Sequence, residues 1–89
     1  MRKVMIVEDE ELILQGIKNI VHWNELELQL FHMAHSGQEA LEMWKKEPVD
    51  IIITDIEMQE MSGLELLKKI RSEEELVRFI ILTGYDDFE

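Results

Sequence analysis

The sequence predicts an α/β fold: one parallel sheet with helices on both faces. Three observations lead there. Short apolar runs rich in β-branched residues alternate with segments of helical period. Two of the helical segments open on a Ser-x-x-Glu signature. Strands alternating with amphipathic helices join by right-handed crossovers, which make the sheet parallel. At 89 residues, 46% hydrophobic, with one Pro and four Gly, the chain suits one compact domain and not a disordered acidic tail.

Val4-Met5-Ile6-Val7 is the first strand, and it stops at Glu8-Asp9-Glu10-Glu11. From Leu12 the period changes, and Ile13, Gly16, Ile17 and Ile20 form the apolar face of a helix with Gln15, Lys18 and Asn19 outward. Leu28 to Ala34 is a second strand, and its polar Gln29 and His32 place it at an edge. Ser36-Gly37-Gln38-Glu39 has the form of a capping box, with Glu39 reaching back to Ser36. It opens a helix with Ala40, Leu41 and Trp44 on the apolar face and a Glu42–Lys46 pair outside, ended by Pro48. Ile51-Ile52-Ile53-Thr54 is a continuous β-branched run, the pattern of a central strand buried on both faces. A second box, Ser62-Gly63-Leu64-Glu65, opens a helix with Leu66, Leu67 and Ile70 inward. Phe79-Ile80-Ile81-Leu82 is the last strand and closes at Thr83-Gly84. The order is β-α-β-α-β-α-β, without repeats or a low-complexity linker.

Twenty acidic residues stand against nine Lys and Arg, a formal net charge of −11. That balance argues against direct binding of nucleic acid or an anionic membrane, and favours a divalent cation or a basic partner face. Absence of Cys excludes disulfides and thiolate metal sites. Met1-Arg2-Lys3 precedes only a four-residue apolar run, too short for a signal peptide or a membrane span, so a soluble cytoplasmic domain is expected.

Parallel sheets bind ligands beyond the carboxyl ends of their strands, beside the point where strand order reverses. Glu8 and Asp9 follow the first strand, Asp55 the third and Thr83 the fourth, so three carboxylates and a hydroxyl are expected on one rim. Close carboxylates either hold a proton or bind a cation. Magnesium fits, because it takes one or two carboxylates and keeps waters for a phosphate substrate. An Asp at a rigid strand end can act as nucleophile and form an aspartyl-phosphate, with Thr83 donating to a phosphoryl oxygen.

Plainer roles exist for each residue taken singly. Asp9 reads as the N-cap of the first helix, with Glu10 and Glu11 complementing its dipole. Asp55 and Thr83-Gly84 read as turn residues. His22, His32 and His35 lack metal-ligand spacing and read as surface or edge positions. Trp23 and Trp44 read as packing residues, the Met residues as core filler, and Glu73-Glu74-Glu75 as a solvated loop or helix end. Only the joint placement of Glu8, Asp9, Asp55 and Thr83 on strand ends raises the functional reading above these.

At these residues the sequence resembles a response-regulator receiver domain of two-component signalling. The matching segments are Val4-Met5-Ile6-Val7-Glu8-Asp9-Glu10, Gly37-Gln38-Glu39-Ala40-Leu41, Asp50-Ile51-Ile52-Ile53-Thr54-Asp55-Ile56, Met61-Ser62-Gly63-Leu64-Glu65-Leu66 and Ile80-Ile81-Leu82-Thr83-Gly84-Tyr85. Val21-His22-Trp23 and the run from Gly84 to Glu89 resemble receivers joined to AraC-type DNA-binding domains. The resemblance implies a flavodoxin-like, doubly wound sheet with strand order 2-1-3-4-5. It implies that Asp55 accepts a phosphoryl group from a sensor histidine kinase, that Glu8, Asp9, Asp55 and the backbone carbonyl of Glu57 hold Mg2+, and that Thr83 is the switch hydroxyl. The chain is then a signalling phosphoacceptor, not an enzyme, and controls transcription through an output domain outside this segment.

Two departures from the family pattern carry expectations. Gln59 stands where the family usually has Pro, which loosens the loop after Asp55. The chain also ends at Glu89, so residues 1–89 are expected to be one receiver domain lacking its fourth helix, fifth strand and fifth helix, with strand order 2-1-3-4. The family's Lys at the end of the fifth strand is then missing, since Lys68 and Lys69 lie on the third helix, and phosphorylation is expected to be weak. The Phe79–Leu82 edge is expected to be exposed and to pair copies of the chain, leaving a marginally stable or oligomeric fragment.

Two other classes compete. One is a non-phosphorylated dimerisation or assembly module of the same fold. The other is a haloacid-dehalogenase-like phosphatase, which wants a second Asp where this chain has Glu57 and needs more chain than is present.

Overall fold

The computed structural model describes residues 1–82 of the chain. Seven elements alternate: β1 (Arg2–Val7), α1 (Glu11–Ile20), β2 (Leu28–Ala34), α2 (Gly37–Lys46), β3 (Ile51–Asp55), α3 (Gly63–Arg71) and β4 (Arg78–Leu82). All pairings are parallel and the strand order is β2-β1-β3-β4, as expected. β1 and β3 run in register from Val4 beside Ile51 to Val7 beside Thr54, and β3 ends with Asp55 beside Leu82 of β4. The β1–β2 ladder slips between Val4 and Met5 because Phe31 is an extra residue in the edge strand.

This order decides which helix lies on which face. The step from β1 to β2 runs one way across the sheet, and the steps to β3 and β4 run the other. Right-handed crossovers therefore put α1 on one face and α2 and α3 on the opposite one. The reversal falls between β1 and β3, where ligands bind in such sheets.

The main core lies under α2 and α3. Met5, Val7 and Ile52 point into it from the sheet, Ala40, Leu41 and Trp44 from α2, and Leu66 and Ile70 from α3. Val4 and Ile6 alternate to the other face, where Leu14 of α1 is buried. Ser62 caps α3 with a complete capping box: its Oγ accepts from the Glu65 N–H at 3.1 Å, and the Glu65 carboxylate accepts from the Ser62 N–H at 2.9 Å.

Several expectations need correction. The first helix does not bury Ile13, Gly16, Ile17 and Ile20; Leu14 is its buried residue, and Ile20 is 75% exposed. β3 is buried through Ile52 and Thr54, while Ile51 and Ile53 on the α1 face are only half-buried. Ser36 caps α2, but Glu39 takes the N–H of His35 (2.7 Å) instead of that of Ser36. Glu42 accepts from Gln38, and the Lys46 pair does not form; Lys45 reaches Glu73 at 3.9 Å instead. α2 stops at Lys46, two residues before Pro48. Among the described residues, β4 pairs only with β3 and Ile80 stands half-exposed. No described helix is long and apolar enough to cross a membrane.

Candidate metal centre at the carboxyl end of the sheet

Parallel register brings the ends of β1 and β3 side by side, and the residues just there are acidic. Glu8, Asp9 and Asp55 each present a carboxylate oxygen, and these atoms lie within 4.8 Å of one another. Glu8 is 2% exposed, its N–H held by the Ala34 carbonyl of β2 at 3.0 Å. Its Oε2 accepts from the Glu10 N–H at 3.1 Å, so Glu8 ties down the turn into α1. Asp9 is exposed, and it is not the N-cap: Glu10 holds that position without a side-chain cap. The capping role therefore does not occupy Asp9, whose carboxylate faces the other two.

Asp55 is the last residue of β3 and half-buried. Its Oδ1 accepts from the Glu57 N–H at 3.4 Å, and its carbonyl accepts from the buried Thr54 hydroxyl at 3.0 Å. α3 begins directly against it. The Gly63 N–H donates to the Ile56 carbonyl at 2.9 Å, and a Cβ on Gly63 would overlap the Asp55 carbonyl oxygen. Between them, Glu60 takes a left-handed φ of 67° and Met61 packs over Gly37 at the start of α2. The loop after β3 is thus held at both ends with Gln59, not Pro, in its middle.

The electrostatics follow from this crowding. Burial, with the Asp55 and Asp9 carboxylates adding repulsion, pushes Glu8 up to about 7, against the opposing hydrogen bond from the Glu10 N–H. Crowding of this kind is relieved either by a proton on Glu8 or by a cation among the three carboxylates. The donor set is all oxygen, with neither His nor Cys, which fits a hard divalent ion such as magnesium and disfavours zinc.

An open cleft of about 320 Å³ adjoins the cluster, lined by Asp9, His35, Ser36, Met58, Gln59 and Glu60. His35 lacks metal-ligand spacing in the sequence, yet it bridges two elements here. Its Nε2 meets Glu11 at the start of α1 (2.8 Å), and its Nδ1 lies 3.5 Å from Glu39 of α2. Those carboxylates raise the His35 pKa, while Gln15 and then His35 lower that of Glu11. No local spacing announced this contact, since Glu11 lies 24 residues away in the chain. Thr83 lies outside the described residues.

Comparison with known proteins agrees with this architecture. Residues 4–89 match the model of the response regulator receiver domain family. The transcriptional regulatory protein YesN of Bacillus subtilis (strain 168) is 39% identical over 89 residues, which is 100% of this chain and 24% of YesN. The transcriptional regulatory protein HptR of Staphylococcus aureus is 37% identical over the same span, 34% of its length. The chain therefore spans between about a quarter and about a third of these relatives. Among solved structures, the REC domain of the response regulator AraT from Geobacillus stearothermophilus superposes with a TM-score of 0.89 at 38% identity, covering 98% of this chain and 67% of that one. A two component transcriptional regulator AraC from Clostridium phytofermentans also gives 0.89, at 28% identity, covering 99% and 71%.

Proposed function

Since the chain belongs to the response-regulator receiver family, we propose that Asp55 is a phosphoacceptor fed by a sensor histidine kinase. The observation that carries this reading is the convergence of Glu8, Asp9 and Asp55 at the switch point of the sheet. A carboxylate oxygen of Asp55 attacks the phosphorus of a phosphohistidine, the P–N bond breaks, and the imidazole leaves and takes up a proton. Glu8, Asp9, Asp55 and the backbone carbonyl of Glu57 would hold Mg2+, which when bound neutralises charge on the transferring group. The chain's own part is positional. β3 fixes the backbone of Asp55, the Glu57 N–H orients Oδ1, and the seat of α3 on the Asp55 carbonyl keeps the strand end from retreating.

Thr83 is proposed as the hydroxyl that senses the phosphoryl group. The output is proposed to be transcriptional, through a DNA-binding domain of AraC type elsewhere in the protein, in a cytoplasmic setting. Charge makes this segment itself an unsuitable nucleic-acid ligand, with a net −11.

The test is labelling with acetyl phosphate with and without magnesium. Label that requires magnesium, is released by hydroxylamine and disappears in Asp55→Ala supports the reading; magnesium-independent label, or label retained by Asp55→Ala, removes it. A second reading, pairing of two copies through β4, is favoured by the half-exposed Ile80 on a strand paired on one side among the described residues. Sedimentation of Ile80→Lys against the native chain separates the two, because only the second reading requires the edge.

A further inference from the structure

Two helices open on the same Ser-x-x-Glu pattern, yet their Glu residues act differently. At α3 the Glu65 carboxylate returns to the Ser62 N–H. At α2 Glu39 takes the N–H of His35 instead, at 2.7 Å, and so fixes the backbone of the residue that follows β2. The remaining helix, α1, has no cap of this kind, because its N-cap Glu10 makes no side-chain cap hydrogen bond. The turn in front of α1 therefore depends on partners from elsewhere.

That turn carries Glu8 and Asp9. Its one local side-chain tie, the Glu10 N–H on Glu8 Oε2 at 3.1 Å, uses a carboxylate that would also serve the metal. Two consecutive residues at the end of β2 hold it from either side of Asp9. Before Asp9, the Ala34 carbonyl takes the Glu8 N–H at 3.0 Å. After Asp9, the His35 ring reaches Glu11, with Nε2 2.8 Å from Oε1. An ionised carboxylate only accepts, so Nε2 donates. The second Glu11 oxygen accepts from Gln15 Nε2 at 2.8 Å, so both are engaged.

We propose that His35 is a positioning residue for the metal centre: by tying Glu11 to the end of β2 that Glu39 anchors, it holds Asp9 against Glu8 and Asp55. The proposal rests on the reading of those three carboxylates as magnesium ligands. His35 is not one of the cluster and acts through the turn. Its charge and its position make opposite demands. An imidazolium in the cleft that His35 shares with Asp9 opposes a divalent cation, so if charge alone mattered, removing the ring would tighten magnesium binding. If position matters, removing it weakens binding. The His35–Glu11 pair is exposed and adds little to global stability, so the melting temperature should move little.

The test is a calorimetric magnesium titration, at one pH and ionic strength, of the native chain, His35→Ala, His35→Gln and His22→Ala. His35→Ala is expected to raise the dissociation constant by about 3–10-fold, the scale of one hydrogen bond lost behind a metal ligand. Gln carries an N–H donor at the reach of imidazole Nε2, so His35→Gln should bind as the native chain does. His22 pairs with Glu25 at 3.3 Å near the opposite end of the sheet, and His22→Ala should leave the affinity unchanged. A second readout needs no ion: in the metal-free chain, amide exchange at Glu10 should be several-fold faster in His35→Ala and native-like in His35→Gln. Unchanged or tighter magnesium binding by His35→Ala, an equal loss in His35→Gln or His22→Ala, or unchanged exchange at Glu10 would each overturn the proposal. A native chain that binds no magnesium, or whose binding survives Asp55→Ala intact, overturns the ligand assignment itself, and the proposal falls with it.

Discussion

Placing a methyl group at Gly63 tests how tightly α3 is seated on the end of β3 at Asp55. An added Cβ would overlap the Asp55 carbonyl oxygen and lie 3.1 Å from the Asp55 carbonyl carbon and 3.2 Å from Thr54 Cγ2. The first two are backbone, and the third belongs to a fully buried β-branched side chain, so none can rotate away. Gly63 does not have a positive φ, so the cost is steric and not conformational. Overpacking of this kind costs about 1–3 kcal/mol, more than the few tenths that Ala returns in helix propensity at a first turn. Gly63→Ala is therefore expected to lower the melting temperature by about 4–8 °C per kcal/mol lost in a domain of this size.

Two other glycines turn this into an internally controlled series. At Gly37 the new Cβ meets Met61 Cβ at 2.9 Å and Sδ at 3.0 Å; the sulfur can swing aside but the Cβ cannot, and a loss of about 1 kcal/mol is expected. At Gly16, exposed within α1, nothing lies within 4 Å, and Ala should stabilise by about 0.5–1 kcal/mol through helix propensity alone. Urea midpoints of the three variants give the order directly. If Gly63→Ala proves as stable as Gly16→Ala, the seat of α3 on Asp55 is not as drawn, and the positional argument for Asp55 goes with it.

Glu8 supplies a pH prediction. Its native pKa of about 7 lies above the ordinary 4.5, so between those values the folded chain keeps a proton the unfolded chain releases. Metal-free stability should then fall as pH rises through that window, by about 1–2 kcal/mol once solvent screening is allowed for, in urea melts at about pH 5 and about pH 8; a flat profile contradicts it. Magnesium held as proposed would compete with that proton, so any stabilisation it gives should grow with pH over the same window, as calorimetric melts with and without the ion would show. Asp55→Asn removes one of three like charges within 4.8 Å and should stabilise the metal-free chain by about 1–3 kcal/mol near neutral pH while abolishing the magnesium response; a destabilised variant would mean the cluster is not repulsive. Ser62→Ala breaks a reciprocal cap and should cost about 1 kcal/mol, read from its urea midpoint, whereas a change under a few tenths would show that the cap is redundant.

The strands and caps were legible because their signals are local. Ile51-Ile52-Ile53-Thr54 announces a parallel strand, though not that its α1 face is only half-covered, and Ser62 with Glu65 announces a helix start, from neighbours alone. The apolar face of α1 was not legible for the opposite reason. Leu12, Ile13, Leu14, Ile17 and Ile20 cover more than one side of the helix, so periodicity does not choose among them; only the fold does, by burying Leu14 alone. The site was half legible. Asp55 and Asp9 could be placed from strand ends, but burial of Glu8 depends on β2 passing behind it. Gly63 read as the first residue of a capped helix, whereas what demands glycine is a carbonyl from another element.

Charge is distributed along the strand axis in a way that local rules explain only in part. Every Lys and Arg begins a strand, as Arg2, Lys3 and Arg78 do, or sits in the last turn of a helix, as Lys18, Lys45, Lys46, Lys68, Lys69 and Arg71 do. That is the end of the sheet away from Asp55. Helix dipoles account for the cations in last turns and for Glu11, Glu39 and Glu65 in first turns. They do not require Glu8, Asp9 and Asp55 to converge, and among the described residues no Lys or Arg forms an ion pair with any of the three. Like charges so placed oppose the metal-free fold, and a hard cation bound there as proposed would reverse that, so that the stability of this end of the molecule would depend on what is bound. Such a dependence is what the proposed phosphoacceptor role requires if a change at Asp55 is to be felt beyond Asp55.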